Sequence, residues 1–211
     1  MYTHILWDFN GTLLDDTDAA IQSENILLAR RNMPLIESRE QYRSLFCFPI
    51  RKYYEKLGHS FEREDYRQLC NEWAAEFRKH ACNSELQAGA IELLGKIKER
   101  GLKQVVLSAS EKEMLKEQIS ALKIEEYFDD ILGVETVHNC DKTEIGTQWI
   151  LKERPRNAVI LGDTVHDYEV ACQMGIDCVL IANGHQSYEK LAALCVPVYR
   201  SLSDIPMELF L

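Results

Sequence analysis

Three short apolar runs, each leading to a polar side chain, most constrain what this 211-residue chain can fold into. The runs are Ile-Leu-Trp before Asp8, Val-Val-Leu before Ser108, and Ala-Val-Ile-Leu shortly before Asp163. Short apolar runs that alternate with helical patterns predict an α/β fold with a doubly wound parallel sheet. Ligands bind beyond the carboxyl ends of such strands, so we expect the three polar residues to converge on one crevice.

The turn after the first run is suited to binding an anion. Asp8 is followed by Phe-Asn-Gly-Thr, in which Gly11 allows the chain to turn tightly. A turn of this kind lets backbone N–H groups face an incoming phosphate. The end of the first strand is therefore expected to supply both a carboxylate and a phosphate-binding loop.

Helical patterns without a strand follow the first run as far as about residue 85. The segment Asp15-Asp16-Thr17 supplies turn and N-cap chemistry for the first helix, and Ser38 begins a capping box. Pro49 fits the first turn of a third helix, and a longer amphipathic helix is expected over 63–80. This part of the chain therefore predicts an all-helical unit.

From residue 88 onward, helical and strand patterns alternate. The expected helices are 88–100, 111–122, one led by Lys142 and 165–174, and the expected strands are 103–107, 157–161 and 177–181. The helical block of about 15–85 is then an insertion between the first and second strands of the sheet. Its two short crossings, near residues 14–16 and 85–89, are suited to act as hinges of a lid.

The overall composition is that of an acidic globular protein. The net charge of −10 argues against nucleic acid or an anionic membrane surface as a partner. The sequence has no charged-then-apolar leader and no apolar run of about 20 residues, so we expect a cytoplasmic protein. The seven cysteines favour reduced thiols, and Cys140 could approach the crevice. None of these features predicts the oligomeric state.

Four motifs occur in a defined order along the chain. They are Asp8 with Asn-Gly-Thr, Ser108, Lys142, and Gly-Asp-Thr-x-x-Asp at 162–167. In this order they resemble the signature motifs of the haloacid dehalogenase-like hydrolases, and among these the phosphoglycolate phosphatases, over essentially the whole chain. The resemblance implies a Rossmann-like core domain of residues 1–14 plus 86–211 and a small helical cap domain of residues 15–85.

The resemblance also implies roles for the site residues. Asp8 would be the nucleophile that forms an aspartyl-phosphate, which divides one difficult hydrolysis into two easier displacements. Ser108 and Lys142 would bind the phosphoryl group of a small phosphorylated metabolite. The other phosphate-binding groups that the resemblance implies are Gly11, Thr12 and the backbone N–H of Ala109.

A magnesium ion is the implied cofactor. Mg²⁺ prefers oxygen ligands with few protein carboxylates, and Asp8 with Asp163 would supply such a pair. Asp167, one helical turn after Asp163, would orient metal-bound water, and the backbone carbonyl of Asn10 would be a further ligand. An alternative role for the segment of Asp163 and Thr164 is a helix N-cap.

Asn10 is the one departure from the family pattern, in which phosphatases have a second aspartate that protonates the leaving alkoxide and then activates water. Asparagine cannot exchange a proton near neutral pH, and losing a general acid/base typically costs about 10²–10⁴-fold in rate. We therefore expect a Mg²⁺-dependent phosphohydrolase with slow or specialised turnover. Acyl phosphates and activated aryl phosphates should be least affected, because their leaving groups need no protonation.

Asn10 leaves other functions open. The chain could be a regulatory protein that binds phosphate with little or no turnover. It could also resemble a phosphonatase, which needs a cap lysine such as Lys52 or Lys56, whereas Asp163 and Asp167 argue against a metal-free dehalogenase. The asparagine could also be an engineered substitution, or it could deamidate to aspartate at the Asn-Gly bond.

The cap is expected to select the substrate. Residues 46–52 join two cap helices, and Arg51 in this loop could bind a carboxylate or a second phosphate through a bidentate fork, or it could be solvated. In the core, Ser110 matches the first residue of a capping box. We expect surface or capping roles for His166 and His185.

Overall fold

The computed structural model describes residues 1–136, 138 and 141–210, and its centre is a parallel β-sheet. The strands are β1 (His4–Trp7), β2 (Leu14–Asp15), β3 (Glu85–Leu86), β4 (Lys103–Glu111), β5 (Asp130–Val134), β6 (Ala158–Gly162), β7 (Asp177–Ile181) and β8 (Val198–Tyr199). Six of them form one sheet in the order β5-β4-β1-β6-β7-β8, and every pairing in it is parallel. The predicted α/β fold with a doubly wound sheet is confirmed.

Helices cover both faces of this sheet. The helices are α1 (Thr17–Arg30), α2 (Arg39–Leu45), α3 (Ile50–Leu57), α4 (Tyr66–Ala81), α5 (Ala90–Glu99), α6 (Lys112–Ala121), α7 (Thr143–Glu153), α8 (Val165–Met174) and α9 (Tyr188–Ala192). Alternate side chains of a strand point to opposite faces, so Trp7 of β1 packs in a cluster with α5 and α6, and Leu6 packs with α7 and α8. A strand buried on both sides is expected to be mainly apolar, as β1 is from Ile5 to Trp7. Among the described helices, none is both long and apolar enough to cross a membrane.

The segment between β2 and β3 forms the helices α1 to α4, which have a hydrophobic cluster of their own around Leu27, Leu69 and Phe77. We call these four helices and their connections the cap. β2 pairs antiparallel with β3, so the two crossings into and out of the cap lie side by side. The division into a core domain of 1–14 plus 86–211 and a cap domain of 15–85 stays a prediction.

Two helix starts in the cap show what local sequence can specify. The Ser38 hydroxyl oxygen accepts a hydrogen bond from the Gln41 backbone N–H at 3.1 Å, as expected for the first residue of a capping box, and α2 begins at the next residue. The helix predicted over 63–80 begins three residues later, because Asp65 is its N-cap and accepts from the Gln68 backbone N–H at 2.9 Å.

The sequence patterns did not predict the edge strands β5 and β8. β5 begins with Asp130 and contains Gly133, two residue types that are depleted in strands. A Cβ at Gly133 would lie 2.8 Å from the Cα of Lys112, so close packing against the start of α6 requires glycine there. β8 is only two residues long, and β4 extends four residues beyond the predicted end at 107, with a register irregularity against β5.

Candidate active site

A cavity of about 140 Å³ lies between the cap and the carboxyl ends of the central strands. Its core side is lined by the charged and polar residues Asp8, Ser108, Lys142, Asp163 and Asp167, which we call the floor. Asp8 follows β1, Ser108 lies in β4, and Asp163 follows β6. The three strand tips predicted to converge therefore line one cavity.

Asp8 lies at the centre of the floor and is 8% exposed. One carboxylate oxygen, Oδ1, accepts a hydrogen bond from Lys142 Nζ, and the other, Oδ2, accepts from the Thr12 hydroxyl at 3.3 Å. Burial raises the pKa of Asp8, and the neighbouring carboxylates of Asp167 and Asp163 add to the rise, against the opposing effect of Lys142. Hydrogen bonds thus hold the Asp8 side chain in place, but its buried surroundings disfavour the ionised form.

Lys142 is fully buried and provides the only ammonium group among the described residues of the floor. Its Nζ lies 2.7 Å from Asp167 Oδ1, pairs with Asp8, and donates to the backbone oxygen of Leu107 at 3.0 Å. Burial alone would lower the pKa of Lys142, but the two carboxylates hold it above its ordinary value. The residue is therefore a fixed positive charge beside the carboxylates of Asp8 and Asp167.

Asp163 and Asp167 are held by hydrogen bonds from neighbouring backbone and hydroxyl groups. Asp163 accepts from the Thr12 hydroxyl at 3.1 Å and from the His185 backbone N–H. Asp167 Oδ2 accepts from both the backbone N–H and the hydroxyl of Thr164, at 2.9 and 2.7 Å, which ties it to the start of α8. Burial raises the pKa of Asp163 to about 6, whereas Lys142 keeps the pKa of Asp167 low despite burial.

The floor has the donor set of a site for a hard divalent cation. Oxygen atoms of Asp8, Asp163 and Asp167 all lie within 4.8 Å of one another, and all three residues are buried. Three carboxylates surround the single ammonium of Lys142, so a divalent cation would balance the remaining negative charge. Oxygen-only ligands of this kind fit Mg²⁺.

The Asn10 side chain is fixed between two polar neighbours. Its Nδ2 donates to Asp16 Oδ2 at 2.8 Å, and its Oδ1 accepts from the Ser110 hydroxyl at 2.6 Å. The other oxygen of Asp16 accepts from the Gly11 backbone N–H at 2.8 Å and lies 3.3 Å from His185 Nε2. An ionised carboxylate can only accept hydrogen bonds, so Asp16 sets the orientation of the Asn10 amide.

The structure changes the expected roles of Gly11 and Asp16. Gly11 was expected to offer its N–H to phosphate, but this group donates to Asp16 and to the Leu14 oxygen. Gly11 has a φ of 79°, and a Cβ there would collide with Asp163, so glycine is required by the close approach of the two segments. Asp16 stands at the N-cap position of α1, as expected, but its side chain makes no hydrogen bond to that helix because its carboxylate turns into the cavity.

Ser110 was also predicted wrongly. It does not cap α6: the helix starts at Lys112, and Glu111 caps it by accepting from the backbone N–H groups of Glu113 and Met114 at 3.1 and 3.2 Å. The strand β4 runs on to Glu111, which leaves Ser110 free to turn its hydroxyl towards Asn10. The spacing of Ser110 and Glu113 matches a capping box, and nothing in that pattern indicates that strand β4 continues to Glu111.

The two histidines near the site are buried and not on the surface as expected. His185 Nδ1 lies 3.0 Å from the Tyr42 hydroxyl of the cap. Burial alone would lower the pKa of His185, but the Asp16 carboxylate raises it to about 9. His166 stacks on Phe48 of the cap with ring centroids 4.3 Å apart. Both rings thus join the core to the cap.

The cationic residues expected to act from the cap do not line the cavity in the described structure. Arg51 is exposed, lies 3.3 Å from Glu55 and packs over the Phe61 ring at 4.9 Å. The nitrogen of Lys56 donates to a backbone oxygen, and Lys52 is exposed on α3. The substrate-binding role of Arg51 is therefore not retained. Residues of the same loop that do line the cavity are Phe46, Phe48 and Ile50.

Of the remaining predicted residues, Ala109 lines the cavity next to Ser108, whose hydroxyl oxygen accepts from the Ser110 backbone N–H at 3.0 Å. The Thr12 hydroxyl bonds the carboxylates of Asp8 and Asp163, so its side chain fixes the floor. Cys140 lies outside the described residues.

Comparison with known proteins gives consistent matches. A family model described as haloacid dehalogenase-like hydrolase matches residues 5–181. The phosphoglycolate phosphatase of Aquifex aeolicus (strain VF5) is 28% identical over 191 residues, which cover 86% of this chain and 85% of that protein. A haloacid dehalogenase-like family hydrolase from Streptococcus pneumoniae has a TM-score of 0.83 at 17% identity and covers 96% of both chains. CbbY from Rhodobacter sphaeroides, solved in complex with phosphate, has a TM-score of 0.74 at 19% identity over 97% of this chain and 96% of that chain.

The parallel sheet and the aspartates at its strand tips define a hydrolase of the α/β type with an acidic floor. The chain belongs to the haloacid dehalogenase-like hydrolase family, because the family model covers most of its length. The family and the phosphatase class predicted from the sequence are confirmed. The solved structures, at this low identity, show the shared fold.

Proposed function

We propose that the protein is a Mg²⁺-dependent phosphomonoester hydrolase in which Asp8 attacks phosphorus and forms an aspartyl-phosphate. The observation that carries this proposal is the position of Asp8, whose carboxylate lines the cavity, pairs with Lys142 and lies within 4.8 Å of the carboxylate oxygens of Asp163 and Asp167. A carboxylate held beside a fixed cation is an activated nucleophile whose attack splits the hydrolysis into two steps. The substrate is a small phosphorylated molecule.

Several groups of the floor would bind and orient the phosphoryl group. Lys142 would neutralise charge at Asp8 and at the phosphoryl oxygens, at no reorganisation cost because it is already fixed. Ser108 and the backbone N–H of Ala109 would donate to those oxygens from the next strand tip. Thr12 acts through Asp8 and Asp163, so we assign it a positioning role.

Asp8 and Asp163 would hold the magnesium ion together with the backbone carbonyl of Asn10, and Asp167 would orient the waters of the ion. When bound, the ion supplies charge stabilisation for the transferring phosphoryl group. The charge imbalance of the floor supports this assignment, since burial raises the pKa of both Asp8 and Asp163. Neutralising these carboxylates would favour their ionised, ligating forms.

Asn10 determines what kind of phosphatase this would be. In the first step the bond from phosphorus to the ester oxygen breaks, and the leaving oxygen takes the electron pair. Asn10 can offer that oxygen a hydrogen bond but not a proton. Because its amide is already held by Asp16 and Ser110, we propose that leaving groups depart without help from a general acid. Leaving groups that are stable as anions are then preferred.

The test exchanges the two side chains at the Asn10–Asp16 hydrogen bond. Asn10→Asp alone places two carboxylates against each other, which should cost about 1–3 kcal/mol of stability. The double variant Asn10→Asp/Asp16→Asn restores the bond with donor and acceptor reversed. We expect it to hydrolyse glycerol phosphate about 10²-fold faster than the unmodified protein, with a much smaller gain on acetyl phosphate.

Asp16→Asn alone is the matched control, because it removes the same charge without adding an acid at position 10. Intact mass and peptide mapping first establish that the purified protein carries asparagine at this position. A stable double variant with no gain on glycerol phosphate would contradict the proposed role of position 10. Unmodified protein that hydrolysed glycerol phosphate at about 10–10³ per second, an ordinary enzyme rate, would contradict it as well.

The same observation on Asn10 favours one second candidate, a phosphate-binding regulatory protein without turnover. Such a protein would keep the phosphate-binding and metal-binding residues of the floor and would lack only the group that transfers a proton. In that case inorganic phosphate should bind in the presence of Mg²⁺, while acetyl phosphate and 4-nitrophenyl phosphate remain unhydrolysed. The phosphonatase alternative has no supporting observation, since no cap lysine lines the cavity among the residues described.

A further inference from the structure

We infer that the substrate is an aryl phosphate monoester whose leaving group is a single uncharged aromatic ring. The inference rests on the proposed function and concerns the side of the same cavity that faces the floor. That side is formed by the cap residues Tyr42, Phe46, Phe48, Tyr53, Trp73 and Phe77, which we call the aromatic wall.

The aromatic wall consists of two groups of packed rings. The ring of Phe46 lies 5.7 Å from that of Phe48 and 5.2 Å from that of Tyr53, both edge to face. Trp73 stacks on Phe77 at 4.6 Å, and Ile50 and Met114 add aliphatic surface. Ring edges and faces presented in this way favour an aromatic ligand.

Apart from Lys142 in the floor, no lysine or arginine lines the cavity in the part of the chain that the structure describes. The nitrogen of Lys190 donates to the backbone oxygen of Phe46 at 2.9 Å, but Lys190 is not a lining residue. The lining residues that can carry positive charge are Lys142 in the floor, His185 against Asp16, and His166 stacked on Phe48. A leaving group with a carboxylate or a second phosphate would therefore be buried without a partner, at a large desolvation cost.

The cap does contain arginines, but they are used elsewhere. Arg43 donates to the backbone oxygens of Gly184 and Asn183 at 2.8 and 2.7 Å, which fastens the cap to the loop before His185. Arg51 pairs with Glu55 outside the cavity. The absence of a cation from the aromatic wall is thus a property of how the cap is folded and does not follow from its composition.

The size of the cavity limits the leaving group further. An apolar cavity of roughly 150 Å³ holds one benzene molecule in a well-packed protein. The cavity here is about 140 Å³, close to the size of that one-ring cavity. A leaving group of about one ring matches this size, whereas a nucleoside or a long alkyl chain would extend out of the cavity.

Asn10 and the aromatic wall both favour an aryl oxide as the leaving group. A phenol loses its proton with a pKa of about 10, far more easily than an alkyl alcohol, so an aryl oxide leaves phosphorus without a general acid. In the first step Asp8 forms the bond to phosphorus and the aryl oxide leaves with the electron pair, later taking a proton from water. In the second step water cleaves the aspartyl-phosphate and releases inorganic phosphate.

The test compares phenyl phosphate with 4-carboxyphenyl phosphate in the presence of Mg²⁺. The carboxylate makes the phenol slightly more acidic, so chemistry alone favours the carboxylated substrate, whereas the aromatic wall should reject its charge. We expect kcat/KM to be about 10²-fold higher for phenyl phosphate. Equal values, or a preference for the carboxylated substrate, would overturn the inference, as would efficient hydrolysis of 2-phosphoglycolate relative to phenyl phosphate.

A binding measurement separates this inference from the proposed function. Phenylphosphonate and 4-carboxyphenylphosphonate cannot be hydrolysed, so calorimetric titration of the unmodified protein with each, at the same Mg²⁺ concentration, reports selection alone. Tighter binding of phenylphosphonate by about 10²-fold supports selection of an uncharged aromatic ring, whether or not phosphate esters are hydrolysed. A lack of turnover on every phosphate ester would contradict the proposed function and not this inference. Equal affinities would contradict the inference whatever the turnover.

A gain of charge tests the wall directly. Ile50→Arg introduces a guanidinium at a half-buried position that lines the cavity, where it could pair with the substrate carboxylate. We expect the preference for phenyl over 4-carboxyphenyl phosphate to fall at least about 10-fold. Ile91→Arg is the matched control. Ile91 is exposed on α5, so this substitution adds the same charge away from the cavity. An unchanged preference in folded Ile50→Arg protein would contradict the inference.

Discussion

The floor and the aromatic wall form two sides of one cavity and are built in opposite ways. The floor takes its residues from several strand tips, and its side chains are fixed by ion pairs and hydrogen bonds such as those from Lys142 to Asp8 and Asp167. The aromatic wall comes mainly from the inserted helices and is held by ring contacts. If the floor performs the chemistry and the aromatic wall selects the substrate, as we propose, the two properties are located on separate parts of the chain.

Separate locations should have separate kinetic consequences. Groups of the floor interact with charge that develops in the transition state, so their loss should lower kcat. The aromatic wall contacts a leaving group that is present in both ground and transition states, so its loss should mainly raise KM. The predictions below test this separation, beginning with the largest expected effect.

Asp8→Asn should remove turnover, by at least about 10⁴-fold in kcat, because no other carboxylate of the floor is placed as the nucleophile. Steady-state assays with phenyl phosphate measure the loss, and thermal unfolding establishes that the variant is folded. Glu99→Gln, a carboxylate-to-amide change on the exposed end of α5, is the control. Residual kcat within tenfold of the unmodified protein would contradict a nucleophilic role for Asp8.

Magnesium should stabilise the protein, and the effect should grow with pH. Burial raises the pKa of Asp163 to about 6 and also raises that of Asp8, so without metal these groups contribute stability that is lost as pH rises through their folded pKa values. The ion binds their ionised forms. At 100 times its Kd it should add about 2.7 kcal/mol.

Thermal unfolding with EDTA and with Mg²⁺, between pH 5.5 and 8, checks this linkage. The gap between the two conditions should widen with pH in the unmodified protein and shrink strongly in Asp163→Asn. Activity should disappear with EDTA and return with Mg²⁺. A gap that is independent of pH and of Asp163 would mean that the ion binds elsewhere.

Phe46→Leu should raise KM for phenyl phosphate about 10-fold and leave kcat within about twofold, because part of a ring contact worth about 1–1.5 kcal/mol is lost from the aromatic wall. Arg51→Ala is the control from the same loop, and neither constant should change more than about twofold, since Arg51 lies outside the cavity. The opposite pattern, with Arg51 controlling KM, would restore the role first expected from sequence.

The sequence predicted the floor better than the aromatic wall for a physical reason. Asp8, Ser108 and Asp163 follow apolar runs, and the geometry of parallel sheets brings such strand tips together wherever the chain runs between them. No comparable rule fixes which apolar face of a cap helix turns to a cavity and which turns to the cap interior. Tyr42 was therefore not singled out from the sequence. The loop of residues 46–52 was expected to select the substrate through Arg51, whereas the residues of this loop that line the cavity are Phe46, Phe48 and Ile50.

The surroundings of Asn10 could not be predicted from local sequence. Asp16 stands where a helix N-cap is expected, and only the tertiary structure brings Ser110 and His185 from distant segments to it and to Asn10. A signal was present all the same: an acidic residue close after an asparagine that replaces an aspartate is a candidate partner for that asparagine. Asp16 is that partner, since its carboxylate accepts a hydrogen bond from Asn10.

The most direct test of the account is to trap the phosphorylated enzyme. Protein mixed with Mg²⁺ and acetyl phosphate is quenched in acid within its first turnovers and analysed by intact mass and peptide mapping, with Asp8→Asn protein treated identically. The account predicts a mass gain of one phosphoryl group, located on the peptide that carries Asp8 and absent from the variant. Turnover without a phosphorylated protein, or a phosphoryl group on any residue other than Asp8, would contradict it.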